Sequence, residues 1–180
     1  MTSRWHAFCF ANLRGVGPKT FHRVRARLSE MNEGWQTLFE QSSPLPGELD
    51  LPGGVAEALG GPQHDAEEAW RQLEAAGVTV AVAGDEGYPG TLLETLGDSA
   101  PPLIYARGNL ELLERPGIAF SGARYATEEG VEAARALAKT LSAVAPVVSG
   151  AAIGIDTAAH LGALEGGGGT VAVVPCGILR

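Results

Sequence analysis

The sequence predicts an α/β protein with a parallel sheet, preceded by a small helical module. Between residues 118 and 176, three short apolar runs alternate with two helical patterns, and the first two runs each end in a glycine-containing turn. This β-α-β-α-β order is typical of a parallel sheet. Before residue 62 the apolar residues follow helical spacing instead, and Gly60-Gly61-Pro62 predicts a boundary. We therefore expect a helical domain over residues 1–61 and a sheet domain over residues 62–180.

The first element is a helix-turn-helix pattern over residues 5–28, whose turn reads LRGVGPKT. Gly15 and Gly17 in this turn let the backbone approach a phosphate, and Lys19 with the following helix N-terminus adds positive field. Arg23 lies one helical turn further on. Residues Gly15, Gly17, Lys19 and Arg23 are therefore possible DNA contacts, and the alternative is a tight turn that only joins two packed helices.

The other elements follow in chain order. They are a helical pattern at Trp35 and Leu38, a loop over residues 42–46, a degenerate second hairpin over residues 51–55, an amphipathic helix over Asp65–Ala76 that Gly77 stops, apolar strands over Val78–Ala83 and Leu103–Ala106, and the strands of the central unit over Ile118–Ser121, Pro146–Ser149 and Thr170–Val174.

Charge is divided unevenly along the chain. The 180 residues carry 13 basic and 21 acidic side chains, a net charge of −8. Six of the basic residues and no acid lie in Met1–Ser29, so the rest of the chain has seven basic residues against 21 acids. The distribution of charge matters more than its sum for a nucleic-acid partner. The basic N-terminal end is therefore a candidate nucleic-acid surface.

Two cysteines, Cys9 and Cys176, lie far apart and without metal-ligand spacing. This pattern predicts neither a disulfide framework nor a metal site. The sequence has no apolar run of the ~20 residues that a membrane span needs, and its N-terminus has no signal-peptide pattern. We expect a cytoplasmic protein with no membrane span.

The two strand-to-helix turns of the central unit form the main candidate site. Right-handed crossovers place such turns side by side at the carboxyl edge of a parallel sheet, where backbone N–H groups and helix N-termini attract anions. The guanidinium of Arg124 suits a phosphate, although an ion pair with Glu128 or Glu129 is the alternative, and Thr127 suits a helix cap. The predicted phosphate cradle comprises Gly122, Ala123, Arg124, Thr127, Ser149, Gly150 and Ala151.

The same turns argue against a dinucleotide cofactor and against hydrolysis. The first turn lacks the G-x-G-x-x-G pattern, and no carboxylate follows the second strand. Ser149, Asp156 and His160 suggest a catalytic triad, with Asp156 and His160 spaced to hydrogen-bond on one helix face. The chain has no G-x-S-x-G elbow, however, and Asp156 lies where a helix cap belongs. We expect no cofactor and no enzymatic activity.

Several patterns together resemble the DNA-processing protein A (DprA/Smf) family. They are SGAR-x-x-T-x-x-G from Ser121, VVSG-x-A-x-GID-x-x-AH-x-x-AL from Val147, T-x-AV-x-x-CG from Thr170, and upstream LRGVGPKT, YP-x-x-L from Tyr88 and PP-L-x-YARGN from Pro101. The resemblance implies a single-stranded DNA-binding recombination mediator that protects incoming DNA and loads the RecA recombinase during natural transformation (competence).

The resemblance also implies an architecture. A helix-hairpin-helix (SAM-like) domain would precede an extended, Rossmann-like parallel sheet, which residues 78–83 and 103–106 would widen at its side. This sheet would be incomplete, because the sequence stops at Arg180, just past the third central strand. We expect a homodimer for the full-length protein, and for this chain either self-association through an uncovered strand edge or a place within a longer protein.

The chain departs from the family pattern at Ile153, where an arginine is common, and at Ser121 and Pro175. Two other interpretations therefore stay open. One is a nucleotide-binding Rossmann-like enzyme or sensor of the phosphoribohydrolase type, which also holds phosphate with glycine turns. The other is a protein-interaction scaffold with a vestigial cleft, which the acidic remainder of the chain would favour.

Overall fold

The computed structural model describes residues 3–40 and 45–179, so most of the predicted loop at residues 42–46 lies outside the described residues. Its contacts divide the chain into two compact units, an N-terminal unit that ends at Gly108 and a C-terminal unit of Asn109–Ile178. The domain boundary between residues 61 and 62 stays a prediction. Residues from both sides of it do meet in the N-terminal unit, where Trp70 contacts the rings of Trp5 and Phe8.

The N-terminal unit is mostly helical. Its elements are α1 (Ser3–Asn12), α2 (Pro18–Glu30), a 3-10 helix (Trp35–Phe39), α3 (Leu45–Glu48), α4 (Val55–Leu59), α5 (His64–Ala75), β1 (Thr79–Val82), α6 (Gly90–Leu96), a 3-10 turn (Gly97–Ser99) and β2 (Leu103–Ala106). The predicted helical hairpin is present as α1 and α2, and the predicted amphipathic helix is α5. Proline at the start of α2 fits there because it has no N–H to leave unpaired.

An aromatic cluster forms the centre of this unit. The ring of Phe21 stacks on Trp35 with 4.5 Å between centroids, and Phe10 lies 5.4 Å from the same indole. Val82 of β1 is fully buried and belongs to the same core. Aromatic rings contribute the largest buried areas per residue, so this cluster fixes how the hairpin packs.

Strands β1 and β2 differ from the expectation that they widen the parallel sheet. They pair with each other in an antiparallel register, from Thr79 opposite Ala106 to Val82 opposite Leu103, as a separate two-stranded sheet. The physical reason is that their apolar residues are used locally. Ala81 and Val82 are buried in the core of the N-terminal unit, with Leu103 packed against that core.

The C-terminal unit has the predicted alternation of strands and helices. After a 3-10 helix (Leu110–Leu113) come β3 (Ile118–Ala119), α7 (Glu128–Leu141), β4 (Val147–Ser149), α8 (Ile155–Glu165) and β5 (Thr170–Ala172). The strands are parallel in the order β3-β4-β5, with Ile118 opposite Val147 and Val147 opposite Thr170. The predicted α/β class is confirmed, although the regular strands are shorter than the apolar runs that predicted them.

Helices α7 and α8 pack closely because the residues between them are small. Ala138 of α7 is fully buried, as are Ala159 and Ala163 of α8. A Cβ atom at Gly162 would lie 2.2 Å from the carbonyl oxygen of Arg135, so the two helices touch through backbone. Since α8 also packs against β4 and β5, this helix pair covers one face of the sheet.

Among the described residues, β3 and β5 have no further strand on their outer edges. The apolar side chains just past β5 are also open to solvent, with Val173 63% and Val174 42% exposed. No helix in residues 3–40 and 45–179 is long and apolar enough to cross a bilayer.

Candidate phosphate-binding site

The turns that follow β3 and β4 contact each other directly at the carboxyl edge of the sheet. We call residues 122–127 the first turn and residues 150–154 the second turn. The amide of Ile155 donates to the carbonyl oxygen of Ala123 at 3.3 Å. A Cβ atom at Gly154 would lie 2.4 Å from the carbonyl oxygen of Ala123 and 2.6 Å from that of Arg124. Only glycine lets the second turn come this close to the first.

Gly154 is absent from the predicted site residues. Its backbone has φ +86° and ψ −126°, a region that side chains with a Cβ atom avoid. The sequence signal was a glycine immediately before the start of a helix, in the GID segment that begins α8. The close approach that this glycine allows is a tertiary contact, which helical periodicity does not reveal.

Gly122 has a comparable role on the first turn. A Cβ atom at this position would lie 2.6 to 2.8 Å from three atoms of the Ile155 side chain, including the Cβ atom of Ile155. Because that atom is fixed by the helix backbone, a rotamer change alone would not relieve the clash. The predicted site residue Gly122 therefore also positions the first turn against α8.

Asp156 stabilises the second turn through a side-chain hydrogen bond. Its buried carboxylate accepts a hydrogen bond from the amide of Ala152 at 3.3 Å. A Cβ atom at Gly150 would lie 3.0 Å from the same carboxylate, and Ala151 adopts a left-handed φ of +58°. The expectation that Asp156 is the N-cap of α8 is wrong, because Gly154 occupies that position. The carboxylate instead fixes the shape of the turn.

Five of the predicted cradle residues have backbone amides without a hydrogen-bond acceptor among the described residues. Their amides donate no hydrogen bond within residues 3–40 and 45–179, and all five residues are exposed. They are Gly122, Ala123, Arg124, Gly150 and Ala151. Unused N–H groups beside helix N-termini are suited to an anion.

Arg124 is exposed and makes neither an ion pair nor a hydrogen bond with any residue that the structure describes. The alternative of a structural ion pair with Glu128 or Glu129 is therefore not seen. The pKa of Glu129 is lowered by a hydrogen bond from its own backbone amide and by one from the hydroxyl of Thr127. That carboxylate already has donors at the start of α7.

Thr127 is the N-cap of α7, as predicted. Its hydroxyl oxygen accepts a hydrogen bond from the amide of Gly130 at 3.2 Å. Such caps satisfy amides that the first helical turn leaves without partners. Thr127 and Glu129 thus occupy part of the α7 N-terminus, which leaves the glycine turns themselves as the open donors.

Ser149, Asp156 and His160 do not form a triad. The buried hydroxyl of Ser149 donates to the carbonyl oxygen of Phe120 at 2.9 Å, which ties β4 to the end of β3. His160 Nδ1 lies 2.6 Å from Thr170 Oγ1, and no hydrogen bond joins His160 to Asp156. Burial lowers the pKa of His160, with the charge of Asp156 acting in the opposite direction. These three residues stabilise the sheet and the second turn separately.

The hairpin turn of the N-terminal unit (residues 13–17) has a different environment. Gly15 has φ +94°, and Gly17 is the N-cap of α2 without any side-chain hydrogen bond. Lys19 is exposed, with no partner among the described residues. Arg23 in contrast pairs with Asp50, with 3.2 Å between Nη1 and Oδ2, and also donates to the carbonyl oxygen of Asp50.

The fold and the site define a class of α/β proteins with a parallel sheet and glycine turns that expose backbone donors at its carboxyl edge. Residues 79–180 match the family model described as DNA recombination-mediator protein A. This match covers more than half of the chain, which therefore belongs to the DNA recombination-mediator protein A family.

Individual relatives agree with this assignment. The chain is 40% identical over 94 residues to the DNA processing protein DprA of Streptococcus pneumoniae, covering 52% of this chain and 33% of that protein. It is 36% identical over 99 residues to Protein Smf of Synechocystis sp., covering 52% of this chain and 24% of the relative. The crystal structure of the Streptococcus pneumoniae DprA superposes with a TM-score of 0.63 at 26% identity, covering 97% of this chain and 58% of that one. The segments aligned in sequence thus cover a third or less of these two curated relatives, and the superposition covers 58% of the DprA structure.

Proposed function

We propose that this chain binds single-stranded DNA through backbone phosphates at the phosphate cradle and acts as a non-catalytic recombination mediator. The observation that carries the proposal is Arg124, a cation that is exposed and unpaired among the described residues. It lies where two glycine turns present unused amides. A guanidinium with parallel N–H donors is suited to a phosphate, and phosphate contacts bind DNA without reading its sequence.

Family membership supports the finer parts of the proposal. The resemblance implies protection of incoming single-stranded DNA, delivery to the RecA recombinase in natural transformation, and a homodimer of the full-length protein. In this proposal the cradle supplies the DNA contact, with Gly122, Ala123, Arg124, Gly150 and Ala151 as direct contacts. Thr127 and Ser149 hold the turns in position from either side, as their hydrogen bonds at 3.2 and 2.9 Å support.

The experiment that tests the cradle compares two arginines on either side of the same strand. Arg124 follows β3, whereas Arg115 precedes it and is likewise exposed without a described partner. Arg124→Ala should weaken binding of a labelled single strand by about 1 to 3 kcal/mol, the range for losing a charge-assisted hydrogen bond. Arg115→Ala removes the same charge and should change affinity little.

Fluorescence anisotropy at two salt concentrations measures both affinity and the number of phosphates neutralised. Arg124→Ala should reduce the salt dependence by about one counterion, and by the same amount for unrelated DNA sequences. Circular dichroism should show an unchanged fold, because an exposed side chain supports little core. Equal losses of DNA affinity in Arg124→Ala and Arg115→Ala would show that Arg124 acts only through the net charge. That result would refute a specific phosphate contact.

A further inference from the structure

The two turns of the cradle carry large apolar side chains that the fold leaves in solvent. Tyr125 of the first turn is 91% exposed, and Ile153 of the second turn is 58% exposed. Neither side chain takes part in a hydrogen bond or ring contact within the described residues. Burial in this unit therefore does not explain why these positions hold an aromatic ring and a branched aliphatic chain.

The backbone places these two residues next to each other. Gly154 lies against the carbonyl oxygens of Ala123 and Arg124, so the first and second turns are in direct contact at this point. Tyr125 comes directly after this contact on the first turn, and Ile153 comes directly before it on the second. Both side chains consequently start from adjacent backbone at the carboxyl edge of the sheet, next to the backbone of Arg124.

This arrangement places groups that suit a phosphate next to groups that suit a base, and an unpaired strand of DNA presents both. The backbone of an unpaired strand presents phosphates, which suit Arg124 and the exposed amides. Its bases present flat faces that stack on aromatic side chains regardless of base identity. Duplex DNA presents the same phosphates, but its bases are already stacked on their neighbours and are not accessible to a ring at the protein surface.

We propose that Tyr125 and Ile153 form a stacking platform for an unpaired nucleobase next to the phosphate at Arg124. The inference rests on the proposed function and specifies how the site distinguishes single-stranded from duplex DNA. The tyrosine ring takes one face of the base, and the aliphatic side chain of Ile153 widens the apolar surface beside it. Phosphate contacts supply affinity that both forms of DNA share, and the platform adds affinity for the single strand alone.

The test uses the whole chain and three DNA probes of equal length: a single strand, the same strand with abasic sites in place of its bases, and a duplex. Tyr125→Ala should weaken binding of the ordinary single strand by roughly 5- to 100-fold, from the range for losing one stacked base. It should leave affinity for the abasic strand and the duplex unchanged. Tyr125→Phe keeps the ring and should bind like the parent protein, whereas Ile153→Ala should show a smaller loss than Tyr125→Ala.

The outcomes for the two proposals differ. Arg124→Ala should weaken binding of all three probes, since all three carry phosphates. A parent protein that binds the abasic and ordinary strands equally would overturn the platform and leave the cradle intact. Equal loss for both strands in Tyr125→Ala would also overturn it, since the tyrosine would then act on the phosphate site. A parent protein that binds none of the probes would refute both proposals. Unfolding curves should match throughout, because a side chain that is 91% exposed contributes little to the core.

Discussion

The hairpin turn of the N-terminal unit and the first turn of the C-terminal unit both precede a helix but have different electrostatic environments. Each has at least one glycine before a helix and a nearby arginine. In the hairpin, Arg23 is paired with Asp50, which lies 27 residues away in sequence. In the first turn, Arg124 has acids four and five residues away and pairs with neither. In this comparison, an acid distant in sequence decides which of the two arginines remains available for a phosphate.

The contacts of the basic residues in Met1–Ser29 bear on the expectation that this end is a nucleic-acid surface. Of its six basic residues, Arg23 pairs with Asp50 and Arg27 with Glu30, while Arg4 donates to the carbonyl oxygen of Glu86. Arg25 contacts the backbone turn at Gly84. Burial raises the pKa of Asp85 there, and the charges of Arg4 and Arg25 oppose that shift. Two of the six cations are therefore paired with carboxylates in three dimensions, whereas Arg14 and Lys19 have no partner among the described residues.

The largest expected difference between the two turns concerns their glycines. A Cβ atom at Gly15 would meet its neighbours at 3.7 Å or more, whereas one at Gly154 would lie 2.4 Å from a carbonyl oxygen. Both have positive φ. Gly15→Ala should therefore cost only the conformational strain, about 1 to 2 kcal/mol, and Gly154→Ala about 2 to 4 kcal/mol because backbone must also move.

Urea unfolding followed by two probes measures these costs. Tryptophan fluorescence reports on the N-terminal unit, since Trp5, Trp35 and Trp70 all lie there, and circular dichroism reports on helices of both units. Gly154→Ala should also lose DNA affinity through the displaced first turn. Equal destabilisation by the two substitutions would show that the close approach at Gly154 is not a constraint in solution.

A second prediction separates the paired and unpaired cations of the hairpin. Lys19→Ala should flatten the salt dependence of DNA binding if the hairpin contacts phosphate, because fewer counterions are released. Arg23→Ala should leave the salt dependence unchanged and cost at most about 1 kcal/mol of stability, the range for an exposed ion pair. An unchanged salt dependence in Lys19→Ala would assign the hairpin turn a purely structural role.

The smallest expected effect is the contribution of His160 to the pH dependence of stability. Burial lowers the pKa of His160 below its ordinary value of 6.5. The folded state therefore favours the neutral imidazole, whose Nδ1 lies beside the hydroxyl of Thr170. Its contribution to stability is complete above about pH 6.5 and is lost as the pH falls towards the lower folded value, where the unfolded chain binds more protons.

Unfolding of the parent protein and of His160→Gln, at about pH 7.5 and about pH 5, isolates this contribution. The parent should lose more stability on acidification than the variant does. Parallel losses would show that carboxylates alone account for the acid sensitivity and that His160 is not held neutral.

The elements that local pattern determines were predictable from the sequence. Alternating apolar runs and helical periodicity predicted β3 to β5 with α7 and α8, and the cap at Thr127 followed from residue type and position. These features depend on residues within a few positions of each other. Parallel topology also brings the five cradle residues with open amides to one edge of the sheet, and their contact with a phosphate stays a prediction.

The features that were not predictable depend on contacts between distant segments. The pairing of β1 with β2 follows from apolar residues shared with α1 and α2, which the family pattern placed in a different sheet. The hydrogen bond of Ser149 to Phe120 and the pairing of Arg23 with Asp50 each join residues 29 and 27 positions apart. Asp156 and His160 had the spacing for a mutual hydrogen bond. Asp156 instead accepts from the amide of Ala152, and His160 contacts the hydroxyl of Thr170.

The glycine contact between α7 and α8 has a consequence for how the protein can change during evolution. Where Gly162 meets the carbonyl of Arg135, the spacing of the two helices depends on main-chain atoms, which every amino acid shares. The outward side chains of both helices, such as the exposed Leu137 and Leu161, can then be substituted. Such substitutions would not alter the distance between the two turns at the N-terminal ends of the helices. Relatives whose helix surfaces differ should keep the same distance between α7 and α8. A methyl group at position 162 would force the two helices apart.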